Sequence, residues 1–348
     1  NQMPYVYLMK GINELYDLSV RSIDADNWKK IGDLVKEARA DFYGLLTQVY
    51  ANANIEAAVL NLWADRGRLY VGPYRESLSA ADTMIDRRSF LFSATLDYHA
   101  MLPFAPLTMQ YAADFDLSLE NIDDYERLIT MTARYMVEEK GARGFKISEM
   151  YFRRLDYALT DKTQAADCFR RDRTAAEDKC LSDFVACTVF GLAAEYNIPV
   201  QIHTGVLWGD FAILDVNPAY LSDVISEFKN TKFELLHGGK PYLGESAALA
   251  RTYDNVYLNL SGLPVTSYDL CREWLGYYLD MLPCNKISLG WDTFSPEVMC
   301  GAAHFSRNML AEVLANKVNR QIYSYDQAIE TAHWLMNGTT RELYQLNR

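Results

Sequence analysis

The 348-residue chain has little that would tie it to a membrane, to nucleic acid or to a disulfide scaffold. No apolar run approaches the ~20 residues that a membrane span requires, and the chain does not open with a basic region followed by an apolar segment. Its 34 Lys and Arg are outnumbered by 46 Asp and Glu, for a formal charge of −12. That balance speaks against a polyanion-binding surface, which needs clustered cations. The expectation is a soluble, cytoplasmic protein whose partner is a small molecule, with no nucleic acid and no membrane. Six cysteines in so long a chain make no disulfide framework. Cys168 and Cys180, flanking the polar stretch Phe169 to Lys179, are the one pair placed to bond in an oxidising compartment. There is no internal repeat and no low-complexity tract. Histidine is scarce as well, with five in all, so where each one falls carries information.

Half of the residues are apolar, enough to bury a large core, and their pattern alternates. Short β-rich runs occur at Asn54 to Leu62, Phe90 to Asp97, Arg143 to Ser148, Pro199 to His203, Phe233 to His237, Val256 to Ser261 and Ile287 to Asp292. Between and after them lie segments with apolar residues at helical spacing, such as Tyr125 to Glu139, Leu181 to Tyr196, Tyr268 to Met281 and Pro296 to Val318. Repeated β-α units of this kind build a parallel sheet, and seven visible strands suggest an eight-stranded α/β barrel. Met3 to Tyr50 reads as mainly helical, with Asp24 or Asp26 as a cap for the helix around Trp28 to Ala38. Tyr5 to Met9 is an alternative first strand. The expected organisation is a helical leader or insertion over 1–53 and a barrel over 54–348, forming a single domain overall. The polar stretch Asp161 to Lys179 is expected on the surface.

Three β runs end in side chains that bind metals: Ile198-Pro-Val-Gln-Ile-His203, Lys232-Phe-Glu-Leu-Leu-His237 and Lys286-Ile-Ser-Leu-Gly-Trp-Asp292. The C-terminal ends of barrel strands are where catalytic groups gather. A neutral imidazole there can bind an ion or transfer a proton, and a carboxylate can bind metal and accept the proton of an attacking water. A lone buried His is more often a bonded core residue, and a strand-ending Asp is often a helix cap. The coincidence of all three at equivalent places favours one shared site. Lys146, in Gly144-Phe-Lys-Ile-Ser148, is either an ammonium that binds a carboxylate or a reactive buried amine. Asp97 could orient a substrate group, Tyr151 with Arg153 or Arg154 could clamp a carboxylate, and Trp208 could wall the pocket.

The runs Ile198 to Gly205, Phe233 to Gly239, Asn255 to Ser261 and Lys286 to Asp292, followed by Pro296-Glu297 and a helix with Arg307, resemble the amidohydrolase superfamily. Within it they look like the amidohydrolase-2 branch, with its uronate-isomerase-like and glutamine-synthetase-linked members. The resemblance implies a distorted (β/α)8 TIM barrel and a divalent metal, zinc first, with manganese or iron as alternatives. It also implies that His203 and Asp292 are metal ligands, that Asp292 is the general base, and that His237 transfers a proton. Lys146 would join the ligands if carboxylated. The superfamily's His-x-His pair at the end of strand one occurs nowhere in the chain. The expectation is that this pair and the first strand lie upstream of residue 1.

The function implied is metal-dependent hydrolysis, in which metal-activated water attacks an amide, ester or related C–N or C–O bond of a small polar substrate. Two alternatives stand beside it: a uronate-isomerase-like or decarboxylase reaction on the same barrel, and a metal-free binding or assembly subunit. The helical leader is also a candidate contact for a homo-oligomer.

Overall fold

A computed structural model describes residues 2–62, 90–96, 101–206, 212–293 and 295–346. Seven strands follow one another through the sheet in chain order: β1 (Ala58–Leu62), β2 (Phe90–Thr95), β3 (Gly144–Ile147), β4 (Pro199–His203), β5 (Lys232–Leu236), β6 (Val256–Asn259) and β7 (Ile287–Ser288). Pairing from β2 to β6 is parallel throughout. The helices used below are α1 (Met3–Leu15), α2 (Trp28–Ala40), α3 (Phe42–Asn52), α4 (Ile122–Glu138), α5 (Lys162–Cys168), α6 (Ala175–Tyr196), α7 (Tyr268–Met281), α8 (Pro296–Asn319) and α9 (Thr339–Leu343). Strands and helices alternate as in a (β/α)8 barrel, here distorted, with seven strands among the described residues. The chain divides into two compact units, one of 59–258 with 339–348 and the other of 1–58 with 259–338.

In the first unit the two faces of the sheet differ, because side chains alternate along each strand. One face carries the rows Ala94, Phe145, Val200, Phe233, Val256 and Ile147, Ile202, Leu235, Leu258, all buried. Phe190 of α6 meets Phe233 edge-on, with ring centroids 5.1 Å apart. The other face carries Thr95, Lys146, Gln201, Glu234 and Tyr257 in register. Buried polar groups need partners, and Tyr344, just after α9, supplies one. Its hydroxyl donates to Glu234 Oε2, while Gln201 Nε2 donates to Glu234 at 3.1 Å and to the Tyr344 oxygen at 2.6 Å. Burial and the neighbouring Glu234 hold the Tyr344 phenol protonated, well above the usual tyrosine pKa.

In the second unit α1 crosses α8 at two glycines. A Cβ on Gly11 would stand 1.7 Å from the Glu297 carbonyl oxygen, and one on Gly301 would stand 2.0 Å from that of Tyr7. Only glycine permits this approach. Tyr7 stacks on Phe305 at 4.8 Å and donates to the Pro264 carbonyl. Leu15, Leu45, Val49 and Cys300 form a small apolar cluster beside the crossing.

Met3 to Tyr50 is mainly helical as expected, with 16–27 outside the helices, and Tyr5 to Met9 lies in α1 rather than in a strand. Pro4 opens that helix, where its missing N–H costs nothing. The cap position of α2 is Asn27, not Asp24 or Asp26. The Asp24 carboxylate instead accepts from the Asp26 and Asn27 N–H groups in the turn before the helix. The polar stretch 161–179 is more ordered than its composition suggests. Asp161 with Gln164 opens α5 and Thr174 with Glu177 opens α6, each pair forming a reciprocal cap that satisfies otherwise orphaned N–H groups. Cys168 and Cys180 are free thiols.

Candidate active site

β4 ends at His203, opposite Leu236 of β5, and His237 is the next residue along. At His237 the chain turns through three successive left-handed residues, with φ of 65°, 62° and 75° at His237, Gly238 and Gly239. Glycine adopts that region freely, and two of them let His237 leave the strand abruptly. The loops after β4 and β5 are stitched together by Thr204 Oγ1 donating to the Leu236 carbonyl at 2.6 Å and by Val206 N–H donating to the Lys240 carbonyl at 2.7 Å. At Gly205, φ +79°, a Cβ would lie 2.6 Å from the Lys240 carbonyl oxygen, so this position also needs glycine.

The two imidazoles meet. His203 Nδ1 and His237 Nε2 are 3.3 Å apart, and His203 Nε2 is 3.3 Å from the hydroxyl of Tyr151. His203 is buried, and burial, with the charges of His237 and Lys146, pushes its pKa well below the ordinary histidine value. It is therefore a neutral imidazole with a single N–H. Two proton arrangements satisfy the chain. Either Tyr151 donates to Nε2 and His203 Nδ1–H donates to His237, or His237 donates to Nδ1 and His203 Nε2–H donates to Tyr151. Passing from the first to the second along the trio takes up a proton at Tyr151 and releases one from His237, so the trio is laid out as a proton path.

The structure thus brings Tyr151, His203 and His237 together, with Lys146 near enough to bear on His203. Arg153 is engaged internally: its guanidinium meets Asp183 at 2.7 Å and Ser182 at 2.9 Å and lies over the Tyr157 ring. Arg154 pairs with Asp215 at 2.8 Å and lies over Tyr220. Asp292 belongs to the other unit, where it is exposed and left-handed, φ +49°. Its loop is held by Leu289 N–H bonding to the Leu335 carbonyl, by Trp291 Nε1 donating to Ser306 at 3.0 Å, and by Ser295 Oγ donating to Glu297 at 2.5 Å. Glu297, itself buried, also accepts from Tyr16 at 2.8 Å and Arg39 at 3.1 Å. Although burial opposes it, these donors hold the Glu297 carboxylate below its ordinary pKa. Asp97, His99 and Trp208 lie outside the described residues.

The amidohydrolase family profile matches residues 109–292, more than half of the chain. The chain belongs to the amidohydrolase family. It is 32% identical over 180 residues to Protein fluG of Emericella nidulans, a match covering 49% of the chain and 21% of that protein. The chain therefore spans about a fifth of the length of this curated relative. Its fold is that of a Lactobacillus casei protein provisionally designated a metal-dependent hydrolase, with a TM-score of 0.71 at 19% identity, covering all of the chain and 85% of the other. It is also that of a uronate isomerase from Thermotoga maritima, with a TM-score of 0.78 at 13% identity, covering 98% and 78%.

The amidohydrolase family implies a divalent metal. Among the described residues no helix is long and apolar enough to cross a membrane. The donors suit a metal in kind, since His203 is held as the free-base imidazole that an ion requires. In number they are incomplete: among the described residues no three His, Cys, Asp or Glu side chains converge. The resemblance by sequence did not point to Gln201, Glu234 or Tyr344. A signal existed in Gln201, polar and two residues before His203, hence on the same face of β4.

Proposed function

We propose that this amidohydrolase is a metal-dependent hydrolase that cleaves an amide, ester or related C–N or C–O bond in a small polar substrate. The observation that carries the reading is the hydrogen-bonded chain Tyr151, His203, His237 at adjacent strand ends. His203 and Asp292 would hold the ion, zinc or else manganese or iron, which when bound supplies an activated water. Asp292 would be the base that takes up the proton of such a water. His237 delivers a proton to the leaving group. Lys146 acts as a buried cation unless carboxylated, in which form it would add a ligand. Arg153, Arg154, Asp97 and Trp208 remain candidates for shaping the substrate pocket.

The same relay favours a second reading, an isomerase-like proton transfer, because shuttling a proton between two carbons needs just such a switchable pair. Metal analysis of protein purified without chelator, with hydrolysis of small amides and esters run in ¹⁸O water, tests both. About one equivalent of metal and ¹⁸O in the product are expected, both lost in His203→Ala and Asp292→Ala, since removing one ligand or base typically costs orders of magnitude. If both variants keep metal and activity, the assigned site is wrong; turnover without ¹⁸O points to isomerisation.

A further inference from the structure

The six cysteines are all free thiols, but they are not equally placed to react. Cys271, Cys284 and Cys300 belong to the second unit, the first and last of them buried. Cys168, Cys180 and Cys187 belong to the first unit and are each partly exposed. Cys187 follows Cys180 by seven residues on α6, about 10 Å along the helix axis, which is beyond the reach of a disulfide. Its thiol bonds instead to the Ala158 carbonyl at 3.6 Å. Cys168 and Cys180 are brought together. Cys168 is the last residue of α5, and Cys180 stands in the second turn of α6, which packs against α5. Cys180 Sγ donates at 3.6 Å to the Gln164 carbonyl, one turn before Cys168 on α5. The two thiols also hydrogen-bond to each other. Reciprocal caps at Asp161 and Thr174 fix the start of each helix, so the fold itself holds the sulfurs at one place. Burial, and then the Cys168 thiol beside it, push the Cys180 thiol up to about 12. Since the thiolate is the nucleophile, the first attack falls to Cys168.

We propose that Cys168 and Cys180 are a redox-active pair, a site of reversible disulfide formation whose oxidant is a low-molecular-weight disulfide such as glutathione disulfide. Cys168 Sγ attacks one glutathione sulfur, forming a mixed disulfide as the other glutathione leaves as a thiol. Cys180 Sγ then attacks Cys168 Sγ, the mixed disulfide breaks, and the second glutathione leaves as a thiol with the Cys180 proton. Two protein thiols are oxidised and one disulfide is reduced. The bridge joins α5 to the part of α6 whose Ser182 and Asp183 hold Arg153, two residues after Tyr151. It uses neither the metal nor the histidines, so it stands apart from the hydrolase reading.

The test equilibrates the full, reduced chain with glutathione buffers of graded oxidised-to-reduced ratio, both natively and in urea. Acid quenching and mass spectrometry of unreduced peptides then identify the bridge and its equilibrium constant. A bridge between Cys168 and Cys180 is expected, with a constant at least about tenfold larger natively than in urea, because the fold holds together sulfurs that the loose chain only brings together by chance. The same cycle requires the oxidised chain to melt a few degrees above the reduced one, and dithiothreitol to reverse both changes. Cys187→Ser should behave as the parent does. Cys180→Ser should form no bridge and keep glutathione on Cys168.

A constant no larger natively than in urea, a different pair closing first, glutathione left on Cys168 of the parent chain without a bridge, or an oxidised chain that melts below the reduced one would each overturn the assignment. The deciding measurements are made on the parent chain, so they do not depend on how well any variant folds.

Discussion

The ends of β4 and β5 and the end of β7 solve different problems with similar residue types. His203 and His237 are buried and bonded to each other, so their orientation is set by direct contact. Asp292 is exposed, on a loop whose flanks are pinned. Five residues on, Glu297 shows the opposite arrangement, a buried carboxylate surrounded by donors from Tyr16, Arg39 and Ser295. Of these two acids Glu297 is built for stability, because a buried carboxylate must be compensated by donors.

The largest effect that would sharpen this contrast is on folding. Glu297→Ala should cost about 3 kcal/mol, reduced from a fully buried pair because Arg39 is half exposed, whereas Asp292→Asn should stay within about 0.5 kcal/mol. Urea melts of the two variants side by side decide it, and equal losses would erase the distinction. Next in size is the floor beneath the histidines. Tyr344→Phe removes the phenol that donates to buried Glu234 and should cost about 1 to 2 kcal/mol by the same measurement. A neutral result would mean that water replaces the phenol.

The smallest effect is on pH dependence. His203 is held below its unfolded pKa, so as pH falls below about 6.5 the unfolded chain takes up a proton that the native site refuses. Stability should therefore decline on acidification through that window, and His203→Gln should flatten the decline. Melts between pH 5 and 8 read the slope, and an unchanged slope in the variant would show that His203 is protonated in the folded protein.

Much of the fold was legible because parallel β-α units leave a strong local record: short apolar runs that alternate with helical periodicity. All seven β runs became strands, and His203 and His237 were recognisable from their places at strand ends. Capping chemistry was less visible. Two reciprocal caps inside 161–179 build helix in a stretch whose poverty in apolar residues reads as surface loop. The cap position of α2 falls at Asn27, whose side chain bonds back to the Asp24 N–H rather than capping the helix. Gln201, Glu234 and Tyr344 come from three separate parts of the chain, and no spacing rule links them.

The sequence by itself determined the order of strands and helices, the residues that stop each strand, and the family. These depend on side-chain periodicity and on turn residues within a few positions of one another. Only the tertiary structure decided that His203 lies between Tyr151 and His237 and that Glu297 gathers Tyr16 and Arg39. Each is a matter of which distant groups share a buried volume, and burial is what sets a proton's preference and a carboxylate's need for donors.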